Sequence, residues 1–299
     1  MLFVPACRWS MIEKAARSEA DAVCIDLEDS VPPDEKAASR ANVSRAFREL
    51  DFGGRVRMFR INDLETPFAY RDIIDVVEAA GVHIDLVMLP KANSAKDVAF
   101  VDTLLTQIEA AHKFERRIGM EAQIETASGF LYAREIAQSS ARLEALIFGP
   151  GDFAASMQMP MANIGEFDGH DHTYPGHRWH AVMQTIVAAA RANGLRCLDG
   201  PYAGYQDHEG FDRSCRIARA LGFDGKQCIH PSQLGAANLI FSPSEEEVER
   251  AARVVEAFNR AAAKGHGAVS LDGKMVDAAN IRMARFVLEK QRLILEKNR

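Results

Sequence analysis

The sequence predicts a (β/α)8 TIM barrel followed by a C-terminal helical lid, on three observations. Eight short, β-rich apolar runs alternate with amphipathic helical patterns, the arrangement of a parallel sheet. Each run stays apolar until its last positions, where a chemically active residue stands, and barrel active sites are built on those strand ends. The length, 299 residues, suits one such barrel with an appendage. An open doubly wound sheet is the alternative the same alternation allows.

The runs follow in order. LFVP at 2–5 leads into the helical pattern SMIEKAARSEA, and AVCIDL at 22–27 ends in Asp26, Glu28 and Asp29. VRMFRI at 56–61 ends in Arg60 and Asn62; the helix pattern DIIDVVEAAG after it closes at Gly81, read as a left-handed terminator. IDLVMLP at 84–90 delivers Lys91 and precedes KDVAFVDTLLTQIEAAHK. MEAQIE at 120–125 ends in Glu125, and EALIFG at 144–149 is followed by Asp152. The helix WHAVMQTIVAAARANG closes at Gly194, LRCLDG at 195–200 carries Asp199, and KQCIHP at 226–231 carries His230. From residue 243 the pattern changes. A long helix opens on a Ser244/Glu247 capping box and closes at Gly265, and AANIRMARFVLEKQRLILEK forms a last helix. The expected division is therefore a catalytic barrel over 1–242 and a helical lid or oligomerisation segment over 243–299.

Composition narrows the function classes. At 47% hydrophobic and 26% charged residues the chain is an ordinary globular protein. A net charge of −6 argues against a dedicated nucleic-acid surface. No apolar run approaches the roughly 18 residues of a membrane span, and the first residues do not read as a signal peptide. Cys7, Cys24, Cys197, Cys215 and Cys228 are odd in number and scattered, as reduced thiols of a cytoplasmic protein are. Cys7 and Cys228 read as packing residues, since no histidine is spaced to activate either.

The chemistry concentrates on a few positions. Glu125 and Asp152 follow adjacent strands, and two carboxylates with waters and a substrate oxygen suit octahedral Mg²⁺; two caps or two surface acids are the bland alternative. Gly149-Pro150-Gly151 before Asp152 admits three readings: a phosphate cradle, a turn with a capping acid, or a cleared space for an aimed carboxylate. Arg60 alternates with Met58 and Val56, so it faces inward and needs an anion, either a ligand or an ion pair with Asp26 or Glu28. His170, His172, His177 and His180 crowd one loop, which fits either zinc or a solvated loop. Asp277, by position alone, reads as the N-cap of the last helix.

At these residues the sequence resembles the citrate lyase β-subunit-like family, the malyl-CoA and citramalyl-CoA lyase group of the HpcH/HpaI aldolase superfamily. The resemblance is carried by LFVPACR, ADAVCIDLEDSVPPDEKAASR, FRIN, MLPKANSAKDV, AQIETASG, GPGDFAASM, GKQCIHPSQ and DGKMVD, in order from Leu2 to Asp277. It implies a Mg²⁺-dependent barrel (Mn²⁺ as a substitute) that makes or breaks a C–C bond beside a CoA thioester. Glu125 and Asp152 would hold the metal, and Arg60 would contact substrate. Phe3, Arg8 and Lys14 would contact CoA; Gly151, Ile229 and His230 would complete the ligand site. It turns Asp277 from a cap into the acid/base, delivered from a neighbouring subunit of a homo-oligomer, trimer or hexamer. Pro5-Ala6-Cys7 departs from the family's Pro-Gly-Ser or Pro-Gly-Asp. A citrate lyase β subunit acting on a carrier-protein thioester and a malyl-CoA thioesterase are the alternative activities.

Overall fold

The computed structural model describes residues 1–173, 178–263, 265 and 267–297. Eight strands pair in parallel, in sequence order: β1 (Leu2–Pro5), β2 (Ala22–Asp26), β3 (Val56–Arg60), β4 (Leu86–Leu89), β5 (Gly119–Ile124), β6 (Leu143–Phe148), β7 (Arg196–Asp199) and β8 (Gly225–Lys226). Helices connect them, the longest being Lys36–Glu49, Ala69–Ala80, Ala95–His112, His180–Ala192 and His208–Leu221. The sheet curls, and the segment after β8 hydrogen-bonds to β1. Cys228 N–H donates to Met1 O and Phe3 N–H to Cys228 O, both at 2.9 Å. An open doubly wound sheet would leave those two strands as unpaired edges. The architecture is α/β and TIM-barrel-like.

Strand periodicity explains where the polar groups go. One buried cluster joins Cys24, Met58, Leu86, Met88 and Ile147, with Phe3, Ala22, Val56 and Leu198 against it. Ala22 and Cys24, like Val56 and Met58, are two residues apart and share a face. Two residues further on stand Asp26 and Arg60, so the alternation that fills the interior also carries these charges to the C-terminal end. β5 differs: Glu121 and Gln123 occupy its corresponding positions, with Glu125 following, all buried.

The chain divides into two compact units, Met1–Asn238 and Leu239–Arg299. In the second, the helix Glu245–Ala262 starts on the expected capping box: Ser244 N–H donates to Glu247 Oε2 at 2.8 Å and Glu247 N–H to Ser244 Oγ at 3.2 Å. The segment before the last helix, Ala278–Lys297, is not a plain linker. It forms an antiparallel hairpin of β9 (Val269–Leu271) and β10 (Lys274–Val276), turning through Asp272 and Gly273 at positive φ. Ala251, Val254, Val276 and Ala284 form this unit's own core.

Two local expectations are corrected. Gly81 is not left-handed; its φ is −56° at the head of the 3-10 turn Gly81–His83. It is glycine because a Cβ there would lie 2.3 Å from the Phe114 ring. Gly194, at φ +71°, is the left-handed residue expected. The eighth run is a strand only over Gly225–Lys226; Cys228 makes a single bridge to Leu2, and Pro231 opens the 3-10 turn Pro231–Gln233.

Candidate active site

Above the C-terminal ends of the strands lies a cavity of about 590 Å³. Asp26, Asp29, Arg60, Glu125 and Asp152 line it as charged groups, with Phe3, Gly151 and Ile229 on its walls. Glu125 is 1% exposed, and both its oxygens are held: Oε1 accepts the Lys91 backbone N–H at 2.8 Å, Oε2 the Gln123 amide at 2.6 Å. Burial, then the nearby Glu28 carboxylate, pushes the Glu125 carboxyl up to about 8, and Asp152 adds to the rise.

The loop Gly149-Pro150-Gly151 is now explained in part. Gly149 is the N-cap of the helix Pro150–Ser156, with Pro150 at its first position. A Cβ on Gly149 would lie 2.3 Å from Glu125 Oε2 and 2.9 Å from Gln123 Nε2, so the missing side chain is what gives Glu125 its place. Asp152 sits in the first turn of that helix and faces the cavity. On the neighbouring strand's loop, Thr126 caps Ala127–Leu131 by accepting Gly129 N–H at 2.9 Å and donates to Asn93.

Arg60 satisfies both sequence readings at once. Its Nε and Nη2 grip Asp26 at 2.7 and 2.8 Å, and its Nη1 lies 2.8 Å from Glu28. The guanidinium also lies over the Phe3 ring, 5.3 Å from its centre, and borders the cavity. Arg60 holds the Asp26 carboxyl down at about 2 against the opposing effect of burial, whereas burial pushes Glu28 up to about 7.

Lys91 is read in the sequence as a strand-end group but is given no role there. It follows β4 at φ +46°, a conformation unusual for a non-glycine residue and one that collects at functional sites. Its ammonium reaches Glu28 at 2.5 Å, Asp152 at 3.4 Å and Asp29 at 3.8 Å. The only signal in the sequence was its place at a strand end, which it shared with every other candidate. Gln123 and Gln227 were also missed; both are buried in the cavity floor. Carboxylates thus outnumber cations here, and a cation beside Glu125 would oppose the rise that burial and the neighbouring carboxylates cause. Glu125 and Asp152 are suited as oxygen donors to a hard divalent ion.

Other strand-end residues do not converge. Asn62 turns to Asp72, donating at 2.6 Å. Asp199 pairs with buried Lys226 in a separate small cavity lined by Trp179, Met183, Ser214 and Ile217, between strands and helices. His230 is exposed, stacked on Tyr205 at 4.7 Å and capping the 3-10 turn through Ser232. Buried Gln233 fixes this corner, accepting both Ile229 N–H and His230 N–H. Arg8 and Lys14 are exposed, at the start and in the last turn of the helix Trp9–Ala16, and neither borders the cavity. In the second unit Asp277 caps the last helix, its Oδ1 accepting Ala279 N–H at 2.9 Å and Asn280 N–H at 3.2 Å. The half-buried thiol of Cys7 lies 3.8 Å from Ser30 O, and all five cysteines are free.

The described part of the histidine-rich loop gathers no metal site. Among the described residues no group of three or more His, Cys, Asp or Glu side chains is placed to hold an ion. Arg178 organises this loop instead, pairing with Asp168 at 3.2 Å and Asp171 at 3.1 Å. His177 and the side chain of His172 lie outside the described residues. Among the described residues no helix is long and apolar enough to cross a membrane.

A curled parallel sheet with buried acids and an arginine at its strand C-termini is the architecture of a TIM-barrel-like enzyme, a class whose active sites occupy that end of the barrel. More narrowly, residues 1–231 match the model of the HpcH/HpaI aldolase/citrate lyase family, and the chain belongs to that family. It is 42% identical over 301 residues to an L-malyl-CoA/β-methylmalyl-CoA lyase of Cereibacter sphaeroides, covering 98% of this chain and 94% of the relative. It is 34% identical to a (3S)-malyl-CoA thioesterase from the same species, over 98% and 94% of the two chains. Among solved structures it resembles protein CitE of Mycobacterium tuberculosis in complex with magnesium, acetoacetate and coenzyme A. That likeness has a TM-score of 0.76 at 30% identity, covering 97% of this chain and 96% of the other.

Proposed function

We propose that this protein is a Mg²⁺-dependent carbon–carbon lyase acting on CoA thioesters of 3-hydroxy acids. Its substrates are malyl-CoA, β-methylmalyl-CoA or citramalyl-CoA, and its products glyoxylate or pyruvate plus an acyl-CoA. The observation that carries this reading is the meeting of Glu125, Asp152 and Arg60 in one cavity, in a chain 42% identical to a lyase of that name. Glu125 and Asp152 would hold the Mg²⁺, and Mn²⁺ would substitute. Bound there, a divalent ion supplies Lewis acidity toward the oxygens of the reacting hydroxy acid.

The chain's own groups account for the rest. Cleavage removes the hydroxyl proton, breaks C2–C3, leaves the electron pair as a thioester enolate at C2 and turns C3 into the carbonyl of the oxo acid. Arg60, already aimed by Asp26, offsets the negative charge on the reacting oxygens without reorganising. Asp277 delivers a proton to C2 of the enolate in cleavage and removes it in condensation. Gly151 and Ile229 border the cavity where the acyl part packs, with His230 at the rim, and Phe3, on the same cavity's wall, meets the CoA part. Arg8 and Lys14, exposed beyond β1, suit the CoA phosphates. The closed barrel, the second unit acting as a lid and a homo-oligomeric assembly complete the reading.

The thioesterase relative keeps hydrolysis as a second reading. Incubation of purified protein with malyl-CoA and Mg²⁺ separates the two. Glyoxylate and acetyl-CoA in equal amounts are expected; malate with free CoA would replace the lyase by the thioesterase. Turnover of a citryl carrier-protein thioester, with free CoA esters inert, would instead point to a citrate lyase β subunit.

A further inference from the structure

The cluster around Asp152 already contains a cation of its own. Lys91 Nζ lies 3.4 Å from Asp152 Oδ2 and 2.5 Å from Glu28 Oε1. Its backbone N–H meanwhile holds Glu125 Oε1 at 2.8 Å. One residue therefore touches both acids assigned to the metal, and it does so from a left-handed backbone at φ +46°. Lysine gains nothing from that conformation; asparagine and glycine adopt it more readily. The chain accepts the conformational cost and places an ammonium there.

We infer that Lys91 is a built-in counter-cation that competes with the divalent ion for Asp152 and thereby sets the affinity of the site. The inference rests on the metal reading given above and goes beyond it. An ammonium this close to Asp152 satisfies the carboxylate when no metal is bound and repels a doubly charged ion when one arrives. The main-chain role and the side-chain role are separable, because the N–H that orients Glu125 does not depend on the ammonium. Asparagine at this position keeps the left-handed backbone and that N–H while removing the charge.

The test is a titration of metal-free, full-length protein with MnCl₂, followed by the electron paramagnetic resonance signal of free Mn²⁺, with no substrate present. Lys91→Asn is expected to bind Mn²⁺ tighter by about tenfold. Lys91→Arg, which keeps the charge, is expected to stay within about twofold of the parent. Unchanged or weaker binding in a folded Lys91→Asn protein overturns the competition. Should that variant not fold because Glu28 is left with Arg60 as its one remaining cation among the described residues, Glu28→Gln/Lys91→Asn is compared with Glu28→Gln, and the double variant must bind Mn²⁺ tighter than the single. Failure of the parent to bind Mn²⁺ at all would instead remove the metal reading, a result distinct from loss of the lysine effect.

Discussion

Glu125 and Asp152 reach the same cavity by different routes, one as a fully buried extension of β5, the other from the first turn of a short helix. Glu125 is over-determined by two hydrogen bonds and a glycine; Asp152 is partly exposed and touched by Lys91 alone among the cations found near it. Asp152→Ala should therefore lose Mn²⁺ binding and turnover while keeping the parent's far-ultraviolet circular dichroism and melting temperature. A folded, metal-binding Asp152→Ala protein would remove Asp152 from the metal site. Glu121 belongs to a different part of the same strand. It is buried, its Oε2 has no hydrogen-bond partner among the described residues, and burial raises its pKa from 4.5 to about 8. Because the folded state favours the protonated form, its stabilising contribution is whole below pH 4.5 and is lost as pH rises through 8. Glu121→Gln is neutral throughout and should flatten the fall in stability between about pH 5 and 8, gaining on the order of a few kcal/mol over the parent at pH 9. Urea unfolding at both pH values reads this directly; parallel pH profiles would show that Glu121 does not titrate there.

At the scale of elements, the site depends on strands being held in register by the helices outside them. Arg142, just before β6, is buried and bridges three segments. It pairs with Asp102 and Glu109 of the helix Ala95–His112, both at 2.5 Å, and donates to Ile118 O beside β5 at 2.9 Å. Arg142→Met leaves Glu109 buried without its cation and should destabilise the fold by about 3–5 kcal/mol in urea unfolding. A loss under 1 kcal/mol would show that the acids rehydrate in the variant. The apolar runs and helix periods were legible because periodicity is local. Arg142 was not, since nothing in the sequence links an arginine at a turn to a helix some forty residues earlier. The hairpin β9–β10 was hidden for another reason. Its strands are three residues each, too short to establish alternation, and only the turn at Asp272-Gly273 marks them.

At the scale of the molecule, the proposed acid/base Asp277 lies in the second compact unit and the two carboxylates in the first. Asp277 has a structural duty as a cap, and capping and proton transfer are separable by substitution. Asparagine caps as well as aspartate, whereas alanine loses about 1 kcal/mol of cap energy. Asp277→Asn should keep the parent's melting temperature and Mn²⁺ affinity yet lose lyase turnover. An active Asp277→Asn protein would return the residue to a cap alone. The order of strands, the inward alternation of Arg60 with Met58 and Val56, and the family to which the motifs point were all written in the sequence, because strand period and motif spacing depend on neighbours along the chain. Tertiary structure alone decided which strand-end residues share a cavity. It sent Asp199 to Lys226 and Asn62 to Asp72, tied Arg60 to Asp26, and brought Lys91 to Asp152 across sixty residues of chain. Those outcomes turn on which partner lies within hydrogen-bond reach of a buried charge, a distance that only the curled sheet defines.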